Sequence, residues 1–391
     1  MASPKNFFAI LGMGLLLFVG TGPLFADLDD IPPPPDGLGP ITTDYEIPKT
    51  PYEYQVPREL SDGWKVVDLR KEKADLANIC KGVNRIRSRL IPSVNSLLVV
   101  RHGKLVMEEY FNGKKAEEPQ ALYSCTKSVF STIYGIAQDQ GLLNLDQKIY
   151  DSYPEERSKP EWDLAKNAIT VGMLLSMTSG FDCNDVMGNG QICGAAMAQA
   201  PDWLNYCLAL PLAHPPGKVW TYNGACLSLL SNLIVRDSGM SFPAYADQIL
   251  MKPLGIDCGT WVTNPAGVSR VDYGLYWKAR DMAKLGQLYL NRGLWEGKRI
   301  VSEAWVKDAT AVHAPPGEAF GHDYGYLWHI KTLSWKGRPL KVFYANGYMG
   351  QEIYVAPDAD LVCVMTAAST SPNIYSLEED LFENQILASF N

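Results

Sequence analysis

The sequence has no CxxC pair, no HExxH and no cluster of histidine with cysteine. Those absences remove the common spacings for zinc, so no metal site is expected. No serine sits in a G-x-S-x-G turn, the usual sequence sign of a Ser-His-Asp triad. Only five histidines occur, His102, His214, His313, His322 and His329, in turns or aromatic strand contexts, and each reads as structural or solvated. There is no internal repeat and no run of like charge long enough to make an interaction tail. The net charge is −8 over 391 residues. Without a basic surplus to neutralise phosphates, no nucleic-acid partner is expected. Eight cysteines are too few for a disulfide scaffold in a chain this long, although some pair in an oxidising compartment. The best-placed bridge joins Cys183 to Cys193 across the Gly- and Asn-rich loop CNDVMGNGQIC.

What is present starts with an export pattern. Lys5 is a thin positive region, Phe7 to Gly20 is apolar and uncharged, and Ala26 is a plausible cleavage point. Residues 1–26 therefore read as a signal peptide, or as an anchor if uncleaved, since a span takes about 20 apolar residues. The expected location is periplasmic or secreted, with membrane attachment only through an uncleaved N-terminus. Residues 27–74 are rich in Pro and Asp and read as an extended linker or surface strap. The folded domain is expected over 75–391.

Within it, Ser96–Arg101 and Lys104–Phe111 flank His102-Gly103 as a β-hairpin. SCTKSVFSTIYGIAQDQGLL reads as a helix, with Val129, Ile133 and Ile136 on one face and Gly141 closing it. From Leu142 to about Ala314 the pattern is mostly helical. Strand signals return in YGYLWHIK, LKVFYANG, QEIYVAP and LVCVMTAA, followed by an amphipathic segment, IYSLEEDLFENQILASF. Strands at both ends with helices between predict one α+β domain. The final strands join the first hairpin in a largely antiparallel sheet, the helical middle covers one face, and a cleft lies at the boundary.

The chemistry-bearing feature is Ser124-Cys125-Thr126-Lys127. A serine hydroxyl needs an adjacent base to act as a nucleophile. Lysine can serve if burial or a nearby cation lowers its pKa. At i and i+3 on a helix the two side chains share a face, and the helix N-terminus favours negative charge developing on oxygen. The bland alternative is a helix-capping Ser124 with a solvated Lys127.

The context YSCTKSVFSTIYGIAQDQGLLNLDQKIYDSYPE resembles the active-site helix of serine β-lactamase-related proteins. That group includes class C β-lactamases, DD-peptidases, esterases and 6-aminohexanoate-dimer hydrolases. ITVGMLLSMTSGFD, PPGKVWTYNGACLSLLSNLI, ARDMAKLGQLYLNRGLWEGKRIVSEAWV and FYANGYMGQEIYVAPDADLVCVMTA resemble later parts of such proteins in order. The likeness runs from about Leu97 to the C-terminus and is nearest to the esterase and 6-aminohexanoate-dimer hydrolase branch. The resemblance implies a β-lactamase/transpeptidase-like fold and a tyrosine partner for the lysine, carried by a Y-x-N motif. Counted from Pro216-Gly217, that tyrosine is Tyr222.

Two departures follow. The third motif position is Gly224 rather than Asn, although Asn223 beside it remains a candidate substrate contact. The K-T-G or H-x-G strand motif aligns with Ala345-Asn346-Gly347, so the cation that holds a β-lactam carboxylate is missing. Asn346, Gly347, Gly350 and Gln351 are the expected substrate-binding positions on this strand and turn. The oxyanion hole is expected from the Ser124 N–H with an N–H of Met349, Gly350 or Gln351. Asp182 could line the cleft mouth, and Trp220, Tyr326 and Trp328 could form an aromatic wall, where core packing is the default. The expectation is a serine hydrolase acting on a carboxylic ester or small amide, an acyl transfer that requires no organic cofactor. The alternatives are a DD-carboxypeptidase or β-lactamase, and a catalytically silent binding protein of the same fold.

Overall fold

The computed structural model describes residues 50–185, 193–257, 259–314, 321–371 and 373–390. The expected signal segment, the first half of the linker and Cys258 lie outside the described residues.

The sheet has seven strands: β1 (Val94–Arg101), β2 (Lys104–Tyr110), β3 (Asp323–Tyr324), β4 (His329–Trp335), β5 (Arg338–Gly347), β6 (Gln351–Ala356) and β7 (Leu361–Ala367). Its order is β2-β1-β7-β6-β5-β4-β3, and every pairing is antiparallel. The first hairpin therefore meets the last strand, as the sequence predicts. Its turn is His102-Gly103, with φ of +49° and +69°. Positive φ at both central residues suits the right-handed twist of the flanking strands.

Five helices matter for the site: α1 (Leu76–Arg87), α2 (Cys125–Asp139), α3 (Leu227–Ser238), α4 (Ala279–Leu290) and α5 (Ile374–Asp380). Local signals set their ends. Asp75 caps α1 by accepting from the Asn78 N–H at 3.0 Å, and Gly239 closes α3 at φ +67°. The helical middle packs on one face of the sheet, where Leu98, Val100, Val362 and Val364 join the core around α2 and α4. Gly286 lets α4 approach β7 closely, because a Cβ there would lie 2.5 Å from Val362 Cγ1.

The opposite face is covered too. Leu97, Val99, Cys363 and Met365 pack beneath Ile79, Val83 and Ile86 of α1 and Leu381, Phe382 and Ile386 beyond α5. Every residue of β1 is consequently buried, which explains why its centre, Leu97 to Val100, reads as an apolar run rather than an alternating one.

Asp75, where the sequence places the start of the domain, begins α1 but not the core. Tyr54, Trp64 and Leu69 ahead of it are buried. Tyr54 Oη donates to Val106 O at 2.9 Å, and Trp64 Nε1 donates to Arg280 O at 3.1 Å. The strap from residue 52 onward is thus built into the domain, because its aromatic residues supply core surface that α1 and the sheet edge lack.

The N-terminus of α2 is wedged against the end of β5. A Cβ at Gly347 would meet Leu122 O at 2.4 Å and Cys125 N at 3.2 Å, so only glycine permits this approach. On the far side, a Cβ on Gly135 of α2 would sit 2.2 Å from Trp305 Cδ1. Trp305 is fully buried and stacked on Tyr326. Gly135→Ala would gain about 1 kcal/mol of helix propensity but overpack the core at a cost of about 1–3 kcal/mol. A lower urea midpoint is expected for this variant; a raised midpoint would mean that Trp305 yields.

Candidate active site

Ser124 occupies the N-cap position of α2 and makes no side-chain cap bond. Its Oγ instead accepts from Lys127 Nζ at 3.1 Å. Lys127 is only 4% exposed, and its ammonium also donates to Asp272 O at 2.9 Å. It lies 4.8 Å from the centre of the Tyr222 ring and hydrogen-bonds the Tyr222 side chain. The capping serine with a solvated lysine is therefore not what the chain builds. Ser124, Lys127 and Tyr222 converge.

Burial pulls the Lys127 pKa down, but Tyr222, Asp272 and Asp185 outweigh it and raise the group above the ordinary lysine value. This differs from the expectation that burial would make Lys127 a neutral base: the side chain is held as an ammonium. Desolvation favours the neutral form only until opposite charges close in, and here several do.

Those counter-charges were not legible in the sequence. Asp272 is buried and forms a two-pronged ion pair with Arg270, at 2.9 Å (Nε–Oδ1) and 2.8 Å (Nη2–Oδ2). Burial works against its charge, yet Arg270 holds the Asp272 carboxyl below the usual carboxylate range. Asp185 is partly buried, and its carboxylate accepts from the N–H groups of Gly194 (2.6 Å), Gly224 (2.6 Å) and Ala225 (3.4 Å). Burial pushes the Asp185 carboxyl up, against the pull of Lys127 and these donors. The one available signal was the R-V-D spacing at 270–272, which sets two opposite charges two residues apart.

Gly224 follows from the same packing. A Cβ there would lie 2.8 Å from Lys127 Cε and 2.9 Å from Nζ. The position that carries Asn in the resembling motif is occupied in space by the lysine itself. Asn223 does not replace it: the side chain is buried, and its Oδ1 accepts from the Cys226 N–H at 3.2 Å at the start of α3. The expected substrate contact at Asn223 is thus corrected to a structural one, because consecutive side chains diverge.

The strand side of the site is also largely committed to structure. Ala345 is buried on β5 and offers no charge. Asn346 Nδ2 donates to Glu352 Oε1 at 2.5 Å across the β5–β6 pair. Gln351 is 1% exposed and donates to Tyr348 O at 3.2 Å and Ala367 O at 2.6 Å. These two side chains therefore brace the turn rather than face substrate. Gly350, at φ +90°, gives its N–H to Gly347 O at 3.3 Å, which removes it as an oxyanion donor. The first amide beyond the Gly347 contact is that of Tyr348, which has no acceptor among the described residues. Tyr348 stands edge-on to Tyr123 at 5.6 Å, beside Ser124. Tyr123 itself holds φ +44°, an uncommon conformation for a bulky residue that fits a tight turn into the site.

None of the histidines bonds Ser124. His102 pairs with Glu72, His313 stacks on Tyr326, and His322 pairs with the buried His329. His214 is exposed. Trp220 lies 6.0 Å from Tyr222 and borders the site, whereas Tyr326 and Trp328 belong to the core around Trp305 and Tyr289. Asp182 is exposed, in a loop bonded to Pro211. Cys183 and Cys193 are joined in a disulfide, the pairing expected from the loop between them. Together with Asp185 they form the one cluster of metal-ligand types among the described residues. Both sulfurs are in the bridge, and the carboxylate is enclosed by N–H donors, so the set does not suit an ion.

A chain with this antiparallel sheet, with α2 wedged against β5 and Ser124, Lys127 and Tyr222 gathered at its N-terminus, is similar to known proteins. A family model described as Beta-lactamase matches residues 85–387, and the chain belongs to that family. It is 22% identical over 293 residues to the 6-aminohexanoate-dimer hydrolase of Paenarthrobacter ureafaciens, covering 71% of this chain and 74% of that one. The crystal structure of a family VIII carboxylesterase superposes with a TM-score of 0.64 at 16% identity, over 79% of this chain and 96% of that chain. An octameric penicillin-binding protein homologue from Pyrococcus abyssi gives 0.58 at 19% identity, over 83% and 79%. The protein is thus a hydrolase of the β-lactamase fold, related to esterases and amide hydrolases.

The clearance at Gly224 is directly testable. Gly224→Ala is expected to push the Lys127 ammonium off Ser124 and slow fluorophosphonate labelling of Ser124 by about a hundredfold, the scale of a 1 Å misplacement. An unchanged labelling rate with an intact circular dichroism spectrum would count against it.

Proposed function

We propose that the chain is an exported serine hydrolase that cleaves a carboxylic ester or a small amide through an acyl-Ser124 intermediate. The observation that carries this reading is the 3.1 Å contact between Ser124 Oγ and a buried Lys127 ammonium beside Tyr222. In this reading the group that takes the serine proton is Tyr222, whose ring centre lies 4.8 Å from the Lys127 ammonium. Ser124 Oγ attacks the carbonyl carbon, its proton passes to the Tyr222 oxygen, and the carbonyl electrons move onto oxygen. The N–H groups of Ser124 and Tyr348 receive that oxyanion. Collapse of the intermediate expels the alcohol or amine, which takes the proton from Tyr222. Water then repeats the sequence on the acyl-enzyme and regenerates Ser124.

The missing charge at Ala345 and the glycine at Gly224 argue for a substrate without the carboxylate and amide anchors of a β-lactam. The export reading rests on the N-terminal sequence pattern. The Cys183–Cys193 bridge supports it, since such bridges persist in oxidising compartments. Among the described residues, no helix is long and apolar enough to cross a membrane.

Ser124→Ala is expected to abolish hydrolysis of p-nitrophenyl esters while leaving thermal unfolding unchanged. Undiminished turnover in that variant would sink the assignment, and rapid acylation of the wild type by a labelled penicillin would move the substrate class back to β-lactams.

A further inference from the structure

Tyr222 sits on a loop between residue 217 and the start of α3, and loop backbone of this kind needs outside support to hold a side chain in one place. Met177 gives part of that support, accepting from the Thr221 N–H at its carbonyl (2.9 Å) and from the Asn223 N–H at its sulfur (3.2 Å), and Asp185 gives the rest. The Asp185 N–H donates to Tyr222 O at 2.8 Å. The Asp185 carboxylate then accepts from Gly224 and Ala225, so one aspartate bonds the Tyr222 carbonyl and the two amides that follow Asn223. Its second oxygen accepts from the Gly194 N–H, and the Gly194 carbonyl in turn accepts from Arg270 Nη1 at 3.1 Å. Gly194 follows Cys193, whose disulfide to Cys183 ties the two ends of the segment that carries Asp185.

We propose that Asp185 is the positioning residue for the Tyr222–Lys127 pair: it fixes the Tyr222 loop through three backbone bonds and supplies negative charge facing the Lys127 ammonium. The disulfide and Arg270 hold Asp185 in turn. This role rests on the acyl-serine reading above and extends it. The geometry also supplies a reason for the Y-x-N departure. A Cβ at Gly224 would displace the tip of Lys127, and the Gly224 N–H is a ligand of the carboxylate.

Removing the charge has a defined sign. Lys127 is faced by Tyr222, Asp272 and Asp185, by the Cys125 thiol on its own helix, and by His329, which burial keeps neutral. Arg270 faces Asp185 and Asp272. Deleting one of the two carboxylates lowers the folded-state pKa of Lys127, so the ammonium deprotonates earlier as pH rises. The alkaline limb of activity then moves to lower pH.

The test compares wild type with Asp185→Asn, using p-nitrophenyl ester hydrolysis and fluorophosphonate labelling between pH 6 and 11. Asp185→Asn is expected to lower kcat by about a hundredfold, to leave KM within roughly threefold, and to shift the alkaline limb down by about one pH unit. A wild-type profile in this variant overturns the proposal. So does a loss of kcat with the alkaline limb unmoved, since a purely structural role predicts that outcome. If Asp185→Asn does not fold, Asp185→Ser, which keeps an acceptor oxygen and drops the charge, is read in the same assays. Failure of both to fold assigns Asp185 to stability alone and overturns its role in the site. Absence of a Ser124 adduct in the wild type would defeat the acyl-serine reading instead. Normal wild-type labelling with an indifferent Asp185→Asn would defeat only this inference.

Discussion

A buried ammonium must be matched by nearby negative charge or lose its proton, because removing an ion from water costs several kcal/mol even after the protein relaxes. Lys127 is such an ammonium, and much of the surrounding chain is arranged by that requirement. Asp272 and Asp185 supply the counter-charge, and each then needs partners of its own. Arg270 pairs with Asp272 through two parallel bonds, and the N–H groups of Gly194, Gly224 and Ala225 converge on Asp185. Arg270 also lies 4.0 Å from the centre of the Tyr273 ring and 5.2 Å from that of Trp203, which favours a desolvated guanidinium. Two cations and two carboxylates thus gather beside Ser124.

The same set explains which parts of the molecule could be read in advance. The hairpin at His102-Gly103, the strands of the C-terminal third and the helix after Ser124 announce themselves through local periodicity and turn chemistry. So does the Cys183–Cys193 pairing, from the composition of the loop it spans. The second cover of the sheet was harder to see. α1 is amphipathic by itself, but its partner at 381–386 lies about three hundred residues away, and nothing local says that the two meet over β1 and β7. The strap carrying Tyr54 and Trp64 looked like linker because Pro and Asp dominate its composition, while three large side chains decide its burial.

At the site the division falls between covalent neighbours and distant charges. Ser124 and Lys127 are three residues apart on a helix, so their meeting is geometric. Tyr222 needed the resemblance of its whole segment. Asp185 and Asp272 had no motif to mark them, because their roles depend on what surrounds them. Asn223, Asn346 and Gln351 show the converse. Each is a residue type that often contacts ligands, and each is bonded to the scaffold instead: Asn223 to the amide that opens α3, Asn346 and Gln351 to the strands and turn around Gly347, since buried polar groups need partners.

That distribution bears on recognition under the acyl-serine reading. With Ala345 uncharged, Asn346 tied to Glu352 and Gln351 bonded to Tyr348 and Ala367, the strand side offers mainly backbone amides. The partly exposed side chains grouped around the nucleophile are Tyr123, Tyr348 and Trp220, with Tyr222 behind them. Amides bind any carbonyl oxygen, and aromatic faces favour flat or apolar groups without demanding a charge. Lys127, the nearest cation, is already balanced by Asp185 and Asp272 and has no surplus attraction for a carboxylate. The loss of the strand cation and the buried balance of Lys127 therefore work in the same direction. Both remove fixed positive charge that an anionic substrate would use, and both leave the oxyanion, which exists only while the acyl carbon is tetrahedral, as the one negative charge the site is built to receive.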